Sequence, residues 1–434
     1  MAGQSASPED GNSTRRNSAD TLPAPLRKRW DWRTPFVSLR NRNFRIFTFG
    51  SLVSMTALQM QQLAQNYLVY QLTGLATAIG YVSAAVGGSM FVFTFIGGIV
   101  ADRLGKRNLL AVSQLGIAVF ALFIGLMITL ELIQVWHIVV TSVAIGVVAA
   151  FNNPARQSYV PDLVGTENLM NALALTSGIM NMTRIVGPAL AGVLIGLFGV
   201  GPLYYAKFFA YCIFVAVLLF IPITGKSSSH VSSSMLTEAL DGLRYLRHDR
   251  RVLNLLIMSI VPVVFGMPYV NFLPVFQEAV FHVGPTELGI MMSVVGGGAV
   301  AGSLAIASLG DYRYKGRILI LSGLVFGVTL ILFAITAGAR AFFPSLVILA
   351  LVGASGTGYM ALNNALVMIL APPEMRGRVM GVFMTTFGLM PLGSLPMGAL
   401  CDAIGAPLTT GIFGGVVFGF IALMALLRPD IRQL

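Results

Sequence analysis

Long apolar runs, separated by short polar stretches, recur along the whole sequence. A helix needs about 20 apolar residues to cross the hydrocarbon core of a bilayer. Because the runs are continuous and do not alternate apolar with polar residues, they predict helices and not the strands of a barrel. We place twelve spans at about 46–72, 77–101, 108–130, 137–155, 169–198, 204–223, 252–279, 286–309, 317–337, 343–368, 378–403 and 408–427.

The stretches outside the spans divide the chain. The start is polar and rich in arginine, without the short apolar core of a signal peptide, and residues 1–29 have the composition of a disordered tail. The longest internal polar stretch opens with KSSSHVSSS and continues with leucines at helical spacing, which predicts a surface helix. The predicted order is a cytoplasmic tail (1–45), a six-helix bundle (46–223), a cytoplasmic linker (224–251), a second six-helix bundle (252–428) and a cytoplasmic C-terminus (429–434).

Composition and charge agree with a membrane location. The 434 residues are 56% hydrophobic and only 10% charged, which excludes an ordinary soluble globule. The net charge of +11 comes from basic residues on one side of the predicted spans, so it indicates topology and not nucleic-acid binding. We expect a multi-pass inner-membrane protein with both termini in the cytoplasm. Lys207 and Arg340 are assigned to the external side, and Arg184 is the one basic residue assigned to a span.

The two predicted bundles are related in sequence. GGIVADRLGKR after the second span is echoed by IASLGDYRYKGR after the eighth, which aligns Asp102 with Asp311. Gly187, Gly192 and Gly199 in the fifth span match glycines at the same spacing in the eleventh. An internal repeat of this length indicates duplication. Parallel six-helix repeats are typical of a transporter class whose substrate site lies between the halves.

Two motifs resemble known families. The segment after the second span resembles the loop signature of the major facilitator superfamily, carried by Gly98, Asp102, Arg103, Gly105, Lys106 and Arg107. RIVGPALAG in the fifth span is similar to the antiporter signature of proton-coupled efflux members, although its first glycine departs from the usual spacing, and it is carried by Gly178, Gly187, Pro188 and Gly192. NNPARQSYVPDLVGTENLMNALAL and PPEMRGRVMGVF resemble the enterobactin-exporter-like branch of bacterial efflux proteins. The resemblance implies an all-α membrane protein with about twelve transmembrane helices in two pseudo-symmetric six-helix bundles.

The acidic residue of the loop motif is a candidate gate. A carboxylate at the end of a helix is unfavourable beside the negative end of that helix's dipole, so Asp102 needs a positive partner. In the family this Asp meets the start of helix 11, which here lies near Arg376 and Gly377. By symmetry, Asp311 would face the start of helix 5, with Arg317 among the basic residues of the second copy. Simple positive-inside charges explain Lys106 and Arg107, but not Asp102.

The glycines of the fifth span predict a close helix contact. Small residues let two helices approach each other, and Pro188 would add a bend. A seal against ion leak and ordinary helix packing both remain open as its purpose.

Polar residues within the spans are candidates for a central cavity. Gln59, Gln62 and Asn66 form one stripe of the first helix, and either line a cavity or bond between helices. Arg184 shares a face with Asn181, and is either a structural clamp or a site that attracts an anionic substrate. Asn271 and Glu278 in the seventh helix form a weaker pair, in which Glu278 is either a protonatable group or an anchor at the external end.

These features favour a secondary active transporter over an enzyme. The sequence contains no GxxxxGK[ST] motif, no converging catalytic set and no metal-ligand spacing around Cys212 or Cys401, so we expect no cofactor. The leading hypothesis is a proton-coupled exporter of a small hydrophobic or amphipathic compound, a drug or a siderophore-like molecule, that works by alternating access as a monomer. The alternatives are an importer or lipid-headgroup transporter of the same fold, or a membrane sensor or scaffold.

Overall fold

The computed structural model describes residues 34–432 apart from 104, 166, 223–248, 311 and 373–374. The side chains of 34–36, 94–103, 153–154 and 429 are also outside the description. Residues 1–33 of the predicted tail, most of the predicted linker, Asp311 and the side chain of Asp102 therefore lie outside the described residues.

Within the described chain, twelve long helical segments follow one another, joined by short turns. They are α1 (Arg42–Thr73), α2 (Ala76–Arg103), α3 (Lys106–Thr129), α4 (Val135–Val164), α5 (Leu169–Phe198), α6 (Gly201–Phe220), α7 (Arg250–Phe281), α8 (Pro285–Ser308), α9 (Lys315–Gly338), α10 (Phe342–Leu370), α11 (Arg376–Ile404) and α12 (Ala406–Leu427). A 3-10 helix (Thr34–Arg40) precedes them and a short helix (Pro429–Arg432) follows. The predicted all-α membrane fold is confirmed.

Eleven of the described helices are long and apolar enough to cross a membrane, and α1 is the exception. Its apolar run is interrupted by glutamines and asparagines, so its hydropathy is lower. Its 32 residues are still sufficient, because a helix rises about 1.5 Å per residue. Asn41 starts α1 by accepting the backbone N–H groups of Asn43 and Phe44, and Gly74 ends it with a φ of 64°.

The packing of the helices repeats between the two halves of the chain. In the first half α2 packs on α4 and α3 on α6, and in the second half α8 packs on α10 and α9 on α12. Between the halves, α2 packs on α11 and α5 on α8. The duplication relates the two pairs to each other: α8 is the copy of α2 and α11 is the copy of α5, so the α2–α11 contact corresponds to the α8–α5 contact. A seam with pseudo-twofold symmetry therefore joins the halves.

Two helices of the second half are irregular. In α7, prolines at 262, 268 and 274 remove backbone donors, and the helix passes through the π turns Pro262–Gly266 and Phe276–Phe281 with the 3-10 turn Pro268–Phe272 between them. In α11, the regular helix pauses between Phe387 and Met390. Both helices contribute residues to the seam.

Helix α4 continues to Val164, nine residues beyond the predicted end at 155. The extension is fixed by an ion pair of 2.8 Å between Asp162 and Lys106 of α3, and by a 2.7 Å hydrogen bond from the Asn41 side chain to the carbonyl oxygen of Leu163. The polar residues between 152 and 157 interrupt the apolar run, and the span was therefore predicted to end too early.

Lys207, assigned to the external side, is buried within a helix near the opposite end of the bundle from the start of α1. Lys207 lies in the second turn of α6, is 1% exposed, and is enclosed by helices of its own half. Arg156 likewise lies inside α4, with its guanidinium 5.2 Å from the centre of the Phe214 ring. Arg184 is therefore not the only basic residue in the interior of a described helix, since Arg156 and Lys207 also lie more than one turn from the ends of theirs.

Candidate functional site

A cavity of about 320 Å³ lies between the two halves, bordered by α1, α2, α4, α7 and α11. Its polar lining consists of amides and hydroxyls, and none of the described lining residues is charged. The lining residues are Leu58, Gln61, Gln62, Gln65, Asn66, Val82, Ser83, Val86, Gly87, Ile145, Asn271, Phe387, Met390, Pro391 and Ser394. A concave, mostly apolar surface with a few polar groups is typical of small-molecule sites.

Asparagine side chains connect the halves at this cavity. Asn66 of α1 donates to the Asn271 side chain of α7 at 3.4 Å, and Asn271 donates to the hydroxyl of Ser83 on α2 at 3.3 Å. Asn66 and Asn271 are 7% and 8% exposed, so their amide groups are shielded from water and hydrogen-bond to each other instead. The predicted candidates Gln62, Asn66 and Asn271 thus lie together at the cavity wall.

The remaining polar candidates lie elsewhere. The Gln59 side chain packs against α5, where its Cβ would be 2.6 Å from a Cβ placed on Gly187. Glu278 is exposed on the second π turn of α7 and does not line the cavity. Gln61 and Gln65, which the sequence analysis missed, line the cavity instead of Gln59. The sequence feature that could have indicated these two residues is the width of the polar face of α1, which is broader than a single stripe.

Arg184 lies on the strip of α5 between its two neighbouring helices. Gly187 faces α1, while the backbone of Arg184 and Ile185 faces Gly296 of α8, so the Arg184 side chain projects between α1 and α8. It is exposed, as are Met180 and Ser177, one and two turns earlier. Asn181 on the same strip is half-buried. This strip therefore borders an open space between the halves.

The seam is closed by small residues at one end of the bundle. We call the end where α1 begins and α12 ends the terminal face, and the other end the opposite face. A Cβ on Gly192 of α5 would lie 2.6 Å from the carbonyl oxygen of Pro285 and 2.8 Å from the Cα of Gly289 on α8. Similarly, a Cβ on Gly398 of α11 would lie 2.8 Å from the carbonyl oxygen of Ala76 on α2. Backbones this close leave no room for a side chain.

The proline of the helix 5 motif contributes to the same contact. Pro188 lacks an N–H group, so the carbonyl oxygen of Arg184 one turn earlier has no intrahelical donor. That oxygen faces Gly296, where a Cβ would lie 2.7 Å away. The next carbonyl oxygen, of Ile185, accepts a 2.7 Å hydrogen bond from Ser293. The bend in α5 therefore turns carbonyl groups toward α8.

The opposite face is also held by a carboxylate. Asp402, at the end of α11, accepts the backbone N–H groups of Ala76 at 2.7 Å and of Thr77 at 2.9 Å, and the Thr77 hydroxyl. These donors belong to the first turn of α2, whose positive dipole end favours an anion. A carboxylate on the second half thus caps a helix of the first half.

The seam opens toward the terminal face. A Cβ placed on Gly178 of α5, or on Gly377 or Gly381 of α11, meets no atom of the described side chains and backbone within 4 Å. Gly87 and Gly388, nearer the middle of α2 and α11, still contact the partner helix through Pro391 and Phe91. Among the described residues, the halves therefore touch from the opposite face to about mid-depth, and no contact beyond it is formed at these three glycines.

The loop motif lies at the terminal face. Gly98, Arg103, the Asp102 side chain and Asp311 lie outside the described side chains, so the predicted gate contacts stay a prediction. Gly105 precedes the first turn of α3. Lys106 bonds within its own half to Asp162 and to the carbonyl oxygen of Ser158, and Arg107 donates to the carbonyl oxygen of Ile221 at 2.9 Å. Arg317 lies over the ring of Tyr314, 4.5 Å from its centre.

The described residues contain no group of three or more His, Cys, Asp or Glu side chains that could hold a metal ion. A duplicated bundle with an uncharged cavity at its seam, closed at one end and open at the other, defines a membrane transporter and not an enzyme. The sequence model of the transmembrane secretion effectors matches residues 33–433, so the chain belongs to this family of the major facilitator superfamily.

Individual relatives are transporters as well. The chain is 26% identical to the staphyloferrin A transporter of Staphylococcus aureus over 81% of this chain and 88% of that one. It is 25% identical to the multidrug efflux pump Tap of Mycolicibacterium fortuitum over 90% and 96%, and 22% identical to macrolide efflux protein A of Streptococcus pyogenes over 89% and 95%.

Solved structures share the fold. The nucleoside transporter NupG superposes with a TM-score of 0.71 at 17% identity, covering 89% of this chain and 99% of that one. A D-xylose-proton symporter also gives 0.71 at 12% identity, covering 90% and 98%. At this level of identity the likeness shows the fold alone.

Proposed function

We propose that the chain exports a small hydrophobic or amphipathic compound by alternating access, driven by proton entry. The observation that carries the proposal is the cavity at the seam, with its amide-and-apolar lining and the close helix contacts that cover it toward the opposite face. A compound of this kind gains from burying apolar surface, while amides such as Gln62 and Asn66 orient its polar groups. The macrolide and multidrug efflux relatives act on compounds of the same broad kind.

We propose that the terminal face lies on the cytoplasmic side of the inner membrane. Basic residues such as Lys106, Arg107, Arg376 and Arg378 cluster at this end of the described helices, as the positive-inside rule requires. In this orientation the described conformation opens to the cytoplasm, from which an exporter collects its substrate. Reporter fusions should place residues 102–107 and 312–317 on the cytoplasmic side, and finding them on different sides would contradict the duplication.

We keep the gate at Asp102 as part of the proposal. A contact between Asp102 and the start of α11, near Gly377, would stabilise a state in which the terminal face is closed. Asp102→Asn should lower transport by destabilising that state. Asp430→Asn, in the exposed C-terminal segment, is the matched control and should transport normally.

Transport in inside-out membrane vesicles tests the proposal. We expect an imposed pH gradient, acidic inside, to drive accumulation of ethidium or erythromycin, and nigericin to abolish it. A siderophore is a further probe, since one relative is a staphyloferrin A transporter. Gln62→Ala, at the cavity wall, should raise the Km several-fold, whereas Gln157→Ala, exposed on α4, should not. Uptake of these compounds into intact cells would indicate an importer. The absence of any transport would indicate a sensor or scaffold.

Oligomeric state completes the proposal. We propose that the chain works as a monomer, because each chain contains both halves of the seam and a cavity between them. Transport per protein should therefore be unchanged when proteoliposomes are diluted to one chain per vesicle.

A further inference from the structure

Lys207 is a buried amine with one described hydrogen-bond acceptor. It lies in the second turn of α6 and is 1% exposed. Its ammonium group donates to the side-chain oxygen of Gln61 on α1, and lies 5.3 Å from the centre of the Tyr211 ring on its own helix. A lysine within a membrane bundle is expensive and marks a functional position by default.

The surroundings of Lys207 offer no opposite charge. A second cavity of about 10 Å³ adjoins it, with neutral walls from α1, α3 and α4 that include Gln61, Gln65 and Thr141. The described titratable groups beside Lys207 are the phenols of Tyr204 and Tyr211, and the cation Arg156 acts electrostatically on Tyr211. No carboxylate is among the described residues that line this cavity. Charge on Lys207 is therefore costly unless water or a partner reaches it.

A chain of amides joins Lys207 to the transport cavity. Gln61 donates to the side-chain oxygen of Gln65 at 2.6 Å, and Gln65 donates to the hydroxyl of Ser142 at 2.9 Å. Both glutamines line the small cavity beside Lys207 and also the large cavity at the seam. A single side chain, Gln61, thus separates Lys207 from the cavity at the seam, so a charge on Lys207 changes the electrostatic potential in that cavity.

We infer that Lys207 is the coupling site, at which a proton and a cationic amphipathic substrate compete. This inference rests on the proposed export function and names its substrate class. When the substrate cation enters from the terminal face, the Lys207 ammonium loses one proton to water and becomes a neutral amine. After the substrate leaves at the opposite face, the amine takes one proton from water on that side. One proton therefore moves inward for each cation moved outward.

The sign of the charge sets the direction of coupling. Two positive charges about 10 Å apart, at an effective dielectric constant of about 20, repel enough to weaken binding about tenfold. Protonated Lys207 therefore disfavours binding of a cationic substrate. Because the proton and the substrate cannot both be bound, they are exchanged for each other across the membrane. An anion would bind better beside protonated Lys207, so it would travel together with the proton and would not be exported by proton entry.

Ethidium binding by the purified full-length chain in proteoliposomes tests the inference. We expect the wild type to release about one proton per ethidium bound, measured with a pH-sensitive dye, and to bind ethidium more tightly as pH rises. Lys207→Met should bind and exchange ethidium without releasing protons, and should not accumulate it under a pH gradient. Lys207→Arg, which stays charged, should bind ethidium about tenfold more weakly than Lys207→Met at every pH. Arg428→Met, exposed at the end of α12, is the control and should behave as the wild type.

The outcomes separate this inference from the proposed function. A wild type that does not accumulate ethidium under the gradient would overturn proton-driven export of amphipathic cations. A wild type that accumulates it, together with a Lys207→Met variant that still releases protons and accumulates ethidium, would overturn the role of Lys207 alone. Equal loss of ethidium binding in the Met and Arg variants would assign Lys207 a structural role and would also overturn the inference.

Discussion

Replacing Asp402 by asparagine should loosen the opposite face of the transporter. Asp402 accepts three hydrogen bonds from the first turn of α2, and its charge also favours the positive end of that helix. Asparagine keeps the shape but has one acceptor oxygen and no charge. Because the side chain is exposed to water, we take the loss as about 1–2 kcal/mol. This shifts the population from the described state toward one open at the opposite face by a factor of about 5 to 30.

Distances between spin labels measure this shift. Leu132, between α3 and α4, and Phe343, at the start of α10, are exposed at the opposite face on different halves, so labels on cysteines at these positions report its opening. The free cysteines Cys212 and Cys401 are replaced first. We expect Asp402→Asn to increase the long-distance population in detergent and in nanodiscs.

The control and the refuting result follow from the same geometry. Asp430→Asn removes one negative charge from the terminal face and should leave the distance distribution unchanged. A distribution for Asp402→Asn that matches the wild type in both environments would show that the carboxylate does not stabilise the closed opposite face.

Three further predictions concern other contacts. Gly192→Ala places a Cβ against the backbone of α8, so it should reduce ethidium transport at least tenfold and populate the state open at the opposite face, whereas Gly178→Ala, which meets open space, should retain transport. Asn271→Leu removes the hydrogen bonds between α7 and the first half and should raise the Km for ethidium several-fold with little change in thermal stability, both measured on purified protein. Lys106→Gln breaks the ion pair with Asp162, which is partly exposed, so it should cost less than about 1 kcal/mol and shift the melting temperature by only a few degrees.

The helices were predictable from the sequence because the bilayer fixes their length. Span α5 was predicted at its observed bounds, 169–198, and most others lie within a few residues of the observed helices. The exception, the end of α4, depends on tertiary contacts with Lys106 and Asn41, which a hydropathy pattern does not contain.

The cavity was predictable only in part. Polar residues in apolar spans indicated α1 and α7, and the structure places Gln62, Asn66 and Asn271 at the cavity. Which amides of α1 face the cavity depends on the rotation of the helix against α5, which separates Gln59 from Gln61. Lys207 was assigned to a loop because it lies close to the start of its span. Its aromatic neighbours on both sides, in YYAKFFAY, are the signal that indicated burial.

The polar face of α1 has a consequence for biogenesis. A segment that carries several amides partitions weakly from the translocon into lipid, because each buried amide without a partner is costly. The groups that satisfy or cover this face come from α2, α4, α5, α6 and α7, all of which are synthesised later. Stable integration of α1 therefore waits for the rest of the nascent chain, and assembly in the bilayer, more than hydropathy, secures this helix in the membrane.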